Sequence, residues 1–104
     1  MSSNTFRCLN AVEVINDEGV TVTFTHHGPD IDFLEYASPK GSISFPVEGY
    51  YPHSWLAPDG WTLRAFHGAT WQENGKPLTE DERDEVEEHL TQAATLLKTK
   101  FYLP

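Results

Sequence analysis

Five histidines, one cysteine and a dense block of carboxylates are the side chains of this 104-residue chain that could take part in chemistry. His26 and His27 are followed by Asp30 and Asp32, and imidazole with carboxylate is a donor set that holds divalent metals. Neighbours in an extended chain point to opposite sides, so the two imidazoles converge only in a sharp turn. No H-x-E, H-E-x-x-H or paired-cysteine spacing accompanies them. The segment reads as a polar loop, and neither metal nor cofactor is expected. His53 and His67 stand alone. His89 follows Glu85 by four residues, a spacing that pairs side chains along a helix, and it reads as a boundary residue of an apolar stripe rather than as a base. Cys8 has no second cysteine for a disulfide or a zinc site; its place in an alternating stretch makes it a small buried apolar residue. Ser38, Ser42, Ser44 and Ser54 lack the G-x-S-x-G setting of a nucleophile elbow, and phosphate-cradling glycine loops are absent. No catalytic residue is assigned, and the balance is against an enzyme.

Two features stand above this background. Residues 80–88 hold seven carboxylates and one arginine. Part of that charge belongs to a helix start, where the positive end of the macrodipole favours anions. Asp84, Glu85, Glu87 and Glu88 are left as a surface for a cationic partner, because complementary charge raises on-rate and selects among partners. The second feature is an irregular aromatic stretch, residues 48–60, which brings Tyr50, Tyr51, His53 and Trp55 close to Trp61, with Trp71 as a further candidate. Aromatic residues are enriched at binding hot spots, and loops longer than about 12 residues are uncommon unless functional or disordered. The alternatives are that these rings cover an open sheet face or fill the core under a long loop, or that they line a small-molecule pocket between the sheet and the 49–61 loop.

The elements that must position these residues follow from periodicity. Residues 6–15 alternate, with Phe6, Cys8, Val12 and Val14 on one side and a bend near Asn10. An Asn-Asp-Glu-Gly turn signal leads into a second alternating run with Val20, Val22 and Phe24 inward, a hairpin pattern. Residues 31–36 form a third strand with apolar residues on both sides. Residues 42–47 form a fourth that is an edge or ends at Pro46, which cannot donate to a ladder. Residues 61–66 form a fifth. After an Asn74-Gly75 turn signal comes the only long helical pattern. Thr79 and Glu82 have the spacing of a capping box, and Val86, Leu90, Ala93, Ala94, Leu97 and Phe101 fall on one stripe. Lys98 and Lys100 then lie in its last turns, where cations are favoured. Strands first and a helix last predict an α+β domain: an antiparallel sheet of about five strands with one long C-terminal helix packed across one face. One domain spans residues 1–104, with 1–5 frayed.

The formal net charge is -9. A conventional nucleic-acid surface needs clustered Lys and Arg, and an anionic membrane attracts the same residues, so direct contact with either is not expected. The N-terminus lacks a cationic start and an apolar h-region, and no apolar run approaches the length of a membrane span. A cytoplasmic location is the expectation; oligomeric state is open. In its small size, acidity, α+β pattern and lack of a catalytic signature the chain is similar in type to bacterial immunity proteins, which block a toxin by binding it. That likeness carries no motif and transfers no residue. The expected function is a non-enzymatic protein-interaction module, immunity- or inhibitor-like, for a basic or mixed protein surface. A small-molecule or catalytic pocket at the aromatic loop and a structural subunit of an assembly are the alternatives.

Overall fold

Short alternating segments each have one apolar face to bury, and here they bury it jointly. The computed structural model describes residues 6–26, 32–50 and 60–103. The strands are β1 (Phe6–Asn10), β2 (Glu13–Asn16), β3 (Thr21–His26), β4 (Asp32–Ser38), β5 (Gly41–Tyr50), β6 (Gly60–Thr62) and β7 (Phe101–Tyr102), with the helix α1 (Glu80–Leu96) between the last two. They form one seven-stranded sheet in sequence order. Each neighbouring pair from β1 to β6 is antiparallel, and β6 with β7 is parallel. The sheet is therefore α+β as expected, but seven-stranded and mixed rather than five-stranded and antiparallel.

The two additional strands have local causes. The stretch 6–15 is divided because the Asn10 side-chain oxygen accepts the Val12 amide at 2.9 Å, a local bond that competes with the ladder and closes a turn. The register also shifts between Cys8 and Asn10. Cys8 and Val12 are consequently exposed, not buried. At the other end of the chain, α1 stops before the predicted stripe does. The Thr99 amide bonds the Ala94 carbonyl at 3.0 Å and the Lys98 amide bonds that of Thr95 at 3.3 Å, while Lys98 takes φ 57°. This is a Schellman motif with lysine at the position glycine usually fills. Phe101 thus leaves the helix and enters β7, and Lys98 and Lys100 lie beyond the last turn.

What β7 supplies is acceptors. The Trp61 and Leu63 amides donate to the Lys100 and Tyr102 carbonyls at 2.8 and 2.9 Å. A side chain on Gly60 would meet the Lys100 carbonyl at 2.8 Å, so the close approach needs glycine there. β6 itself is shorter than the predicted 61–66 strand. After Leu63 the chain turns into a 3-10 segment, Phe66–Gly68, which drives the Phe66 ring into the core at 5.8 Å from Phe45. β5 runs through Pro46 instead of ending there. The Ser42 amide and carbonyl both bond residues off the ladder, at Glu73 and Gln72. By the two-residue repeat, position 46 faces the same open edge and no ladder bond is lost.

The core lies on the concave side of the sheet. Val14, Val22, Leu34, Tyr36, Ile43 and Phe45 line it, and Val86, Leu90 and Ala93 of α1 close it. Phe24 of β3 touches Trp61 of β6, with ring centroids 4.6 Å apart, so the sheet is strongly curled. The helix comes nearest to the two edge strands, β1 and β7. Its apolar stripe fills the curl, and its body lies beside edges that would otherwise present unpaired backbone. No helix of the described residues is long and apolar enough to cross a membrane.

Candidate functional site

The acidic surface is built by α1. Thr79 caps it: its hydroxyl accepts the Glu82 amide at 3.2 Å and the Glu82 carboxylate accepts the Thr79 amide at 2.8 Å. The same carboxylate accepts the Trp71 indole N–H at 3.3 Å. These bonds, the Thr79 amide foremost, hold the Glu82 carboxyl below its usual range. Trp71 is buried, so it anchors the helix start and does not join an exposed aromatic patch. Asp84, Glu85, Glu87 and Glu88 are all exposed. Glu85 pairs with Lys40 at 3.3 Å. Asp84, Glu87 and Glu88 make no ion pair among the described residues. Asp84 and Glu88 are four apart and Asp84 and Glu87 three apart, spacings at which like charges repel.

The aromatic segment is placed only in part. Tyr50 ends β5, its backbone paired with Gly60; Tyr51, His53 and Trp55 lie outside the described residues. Trp61 is half-buried and packs on Phe24. It lines a cleft of about 160 Å³ with Val12, Phe24, Leu97 and Phe101. The acidic surface and this cleft are separated along α1: the carboxylates occupy its N-terminal half, and the cleft lies at its C-terminal end.

A third constellation connects β4 to α1. His89 is 4 % exposed, and its Nδ1 lies 2.8 Å from the Tyr36 hydroxyl. The imidazole also meets the edge of Phe6, centroids 5.8 Å apart. It is a core residue, not the boundary residue that its spacing from Glu85 suggests, and its partner is Tyr36. Burial, then the Glu85 carboxylate, pushes the Tyr36 phenol well above its ordinary value, so the phenol stays protonated and holds the imidazole by a hydrogen bond. One signal for this was present: His89 follows Val86 by three residues and precedes Ala93 by four, in phase with the stripe. The pair lies beside a cleft of about 200 Å³ whose lining includes Glu18, Ser38, Lys40, Glu85 and His89.

Of the His26, His27, Asp30 and Asp32 set, the β3–β4 register places His26, the last residue of β3, opposite Asp32, the first of β4; His27 and Asp30 lie outside the described residues. His67 is exposed in the 3-10 segment, edge-on to Phe66. Among the described residues no three of His, Cys, Asp and Glu are grouped to hold a metal ion. An unanticipated acid, Glu73, accepts the Ser42 amide at 2.9 Å and the Ser42 hydroxyl at 2.5 Å. Those bonds, the hydroxyl first, depress its carboxyl and staple the 71–75 turn to β5. Compared with protein families, with curated proteins and with solved structures, the chain matches none.

Proposed function

We propose that the chain is a non-enzymatic protein-interaction module, inhibitor-like in action, that binds a partner with a basic or mixed surface through the outer face of α1. The observation that carries this reading is the state of Asp84, Glu87 and Glu88: exposed, with Asp84 at repulsive helical spacing from each of the other two, and without an ion pair among the described residues. The helix cap accounts for Glu82 and the macrodipole for Glu80 and Asp81; Lys40 accounts for Glu85. A cationic partner would relieve the repulsion that remains, and the net charge of -9 would steer it in. Replacing Asp84, Glu87 and Glu88 together by Lys is expected to abolish capture of the partner from host extract at low salt while leaving the thermal midpoint within a few degrees. A native chain that captures no specific protein at low or moderate salt refutes the reading.

A second reading is a small-molecule site, and the cleft beside Trp61 favours it. Val12, Phe24, Trp61, Leu97 and Phe101 offer apolar and aromatic walls in the manner of ligand pockets. Salt dependence separates the two readings, since burial of apolar surface is insensitive to screening at ordinary ionic strength.

A further inference from the structure

The cleft of about 200 Å³ beside Tyr36 and His89 opens where α1 passes the β2–β3 and β4–β5 connections. Glu18 and Val20 reach it from the first, Ser38 and Lys40 from the second, and Glu85 and His89 from the helix. His89 is 4 % exposed, so what its imidazole presents to the cleft is fixed by the bonds behind it. Ser38 has one hydroxyl proton. It goes to the Gly41 carbonyl at 3.3 Å, while the Lys40 amide donates to the same Ser38 oxygen at 3.2 Å. Towards the Tyr36 phenol, which it also contacts, the Ser38 hydroxyl therefore offers a lone pair. The phenol donates there, and the phenol oxygen accepts the His89 Nδ1–H at 2.8 Å. A neutral imidazole carries one N–H. Nε2 is thus left with a lone pair, and it has no hydrogen-bond partner among the described residues.

Two carboxylates line the same cleft. Glu18 makes no ion pair among the described residues, and its turn is held by the Asn16 side chain, which accepts the Glu18 amide at 3.0 Å. Glu85 is paired with Lys40 through an exposed contact of 3.3 Å, and exposed pairs contribute little. Burial first, then Glu85 and Glu18, hold the Tyr36 phenol protonated, so both carboxylates act on the hydroxyl behind His89. Three acceptors therefore serve one cleft, yet no three such groups among the described residues are gathered to hold a metal ion. Acceptors too dispersed for a point charge suit a flat, many-handed donor. A guanidinium has five N–H groups in a rigid fork, whereas an ammonium is a compact point charge.

We infer that this cleft takes an arginine side chain of the basic partner, its guanidinium shared among Glu18, Glu85 and the His89 Nε2 and its stem against Val20. The inference rests on the protein-interaction reading above and supplies the anchor of that interface. Lys40 releases Glu85 and turns towards Glu82, whose carboxyl is held down first by the Thr79 amide and, least of its causes, by Lys40. Preference for arginine over lysine is then the signature of the site.

The test is titration of the full chain at low salt with three capped tripeptides, Gly-Arg-Gly, Gly-Lys-Gly and Gly-citrulline-Gly, followed by backbone amide and imidazole nitrogen resonances. The free chain should show His89 as the Nδ1–H tautomer. The arginine peptide should saturably shift the His89 Nε2 resonance and the Glu18, Val20 and Glu85 amides. The lysine peptide, equal in charge, should bind more weakly, and the citrulline peptide, equal in shape, should not bind. Glu18→Gln with Glu85→Gln, both exposed, should weaken the arginine peptide by about tenfold, the effect of two exposed charge pairs, and remove its preference over lysine. An Nε2–H tautomer in the free chain overturns the inference. Equal arginine and lysine affinities, with shifts spread over Asp84, Glu87 and Glu88, also overturn it and leave the acidic-face reading standing. If no peptide shifts any resonance the inference falls, and partner capture from extract decides the wider reading separately.

Discussion

Tyr36 and His89 carry more of the stability argument than any other pair of polar side chains here. Tyr36→Phe leaves the His89 Nδ1 without its hydroxyl partner in a buried site, a loss of about 1–3 kcal/mol. His89→Leu takes away the imidazole partner of the phenol, which keeps its contact with the Ser38 hydroxyl, at a cost of about 0.5–1.5 kcal/mol. The double variant should be less destabilised than the sum of the singles, with a coupling of about 0.5–3 kcal/mol, measured by urea unfolding. Additive costs would show that the 2.8 Å contact contributes nothing. A pH dependence follows from the same phenol. Its folded value is raised, so its contribution is fully present below the unfolded value of about 10 and is lost as pH rises through the folded one. Native protein should lose stability above about pH 10, and Tyr36→Phe should flatten that limb. Glu73 and Glu82 are depressed, so their contributions are present above the unfolded value and are lost as pH falls through the folded one. Gln at both positions should therefore flatten the acid limb below about pH 4.

At the scale of elements, the helix ends decide where the chain goes next. Thr79→Ala removes one side of the capping box and should cost about 1 kcal/mol in a denaturant melt. The change should propagate to Trp71, because Glu82 bonds both the cap and the indole, and Trp71 fluorescence reports it. The parallel β6–β7 pair depends on Gly60. Gly60→Ala would place a methyl carbon against the Lys100 carbonyl and the Tyr102 ring, so hydrogen exchange of the Trp61 and Leu63 amides should accelerate while the β3–β4–β5 ladder stays protected. Unchanged exchange at those two amides would rule out the close approach.

For the whole molecule, the separation of charge is the defining property. Carboxylates crowd the N-terminal half of α1, while Lys98 and Lys100, which make no ion pair among the described residues, follow its C-terminal end. Lys substitution at Asp84, Glu87 and Glu88 changes an exposed surface and should leave the cooperative urea transition within about 1 kcal/mol of the native chain's. Leu90→Asp, which places a charge in the buried helix stripe, should instead unfold the chain, seen as loss of the cooperative thermal transition.

Much of this fold can be read from residues three to five positions apart. The Asn16–Gly19 turn, with Gly19 at φ 83° and the Asn16 side chain accepting two amides, is written in its own residues. So are the Asn74-Gly75 turn, the Thr79–Glu82 box and the Val20, Val22 and Phe24 alternation. Their energetics are local, and sequence spacing reports them directly. The acidic residues of α1 were likewise legible as exposed, because a polar run opposite an apolar stripe has one place to go. Sequence alone did not decide where α1 stops. Its stripe continues to Phe101, but that ring is needed beside Trp61, forty residues earlier in the chain, and the cost of Lys98 at positive φ is met by acceptors for the β6 edge. Nor could it decide that His89 is buried, since its partner Tyr36 is 53 residues away. Nor that Cys8 is exposed, since alternation marks a face and not whether the core reaches it. Tertiary structure settled these three because each depends on how far the sheet curls, and curl is the sum of many pairings rather than the property of any one segment.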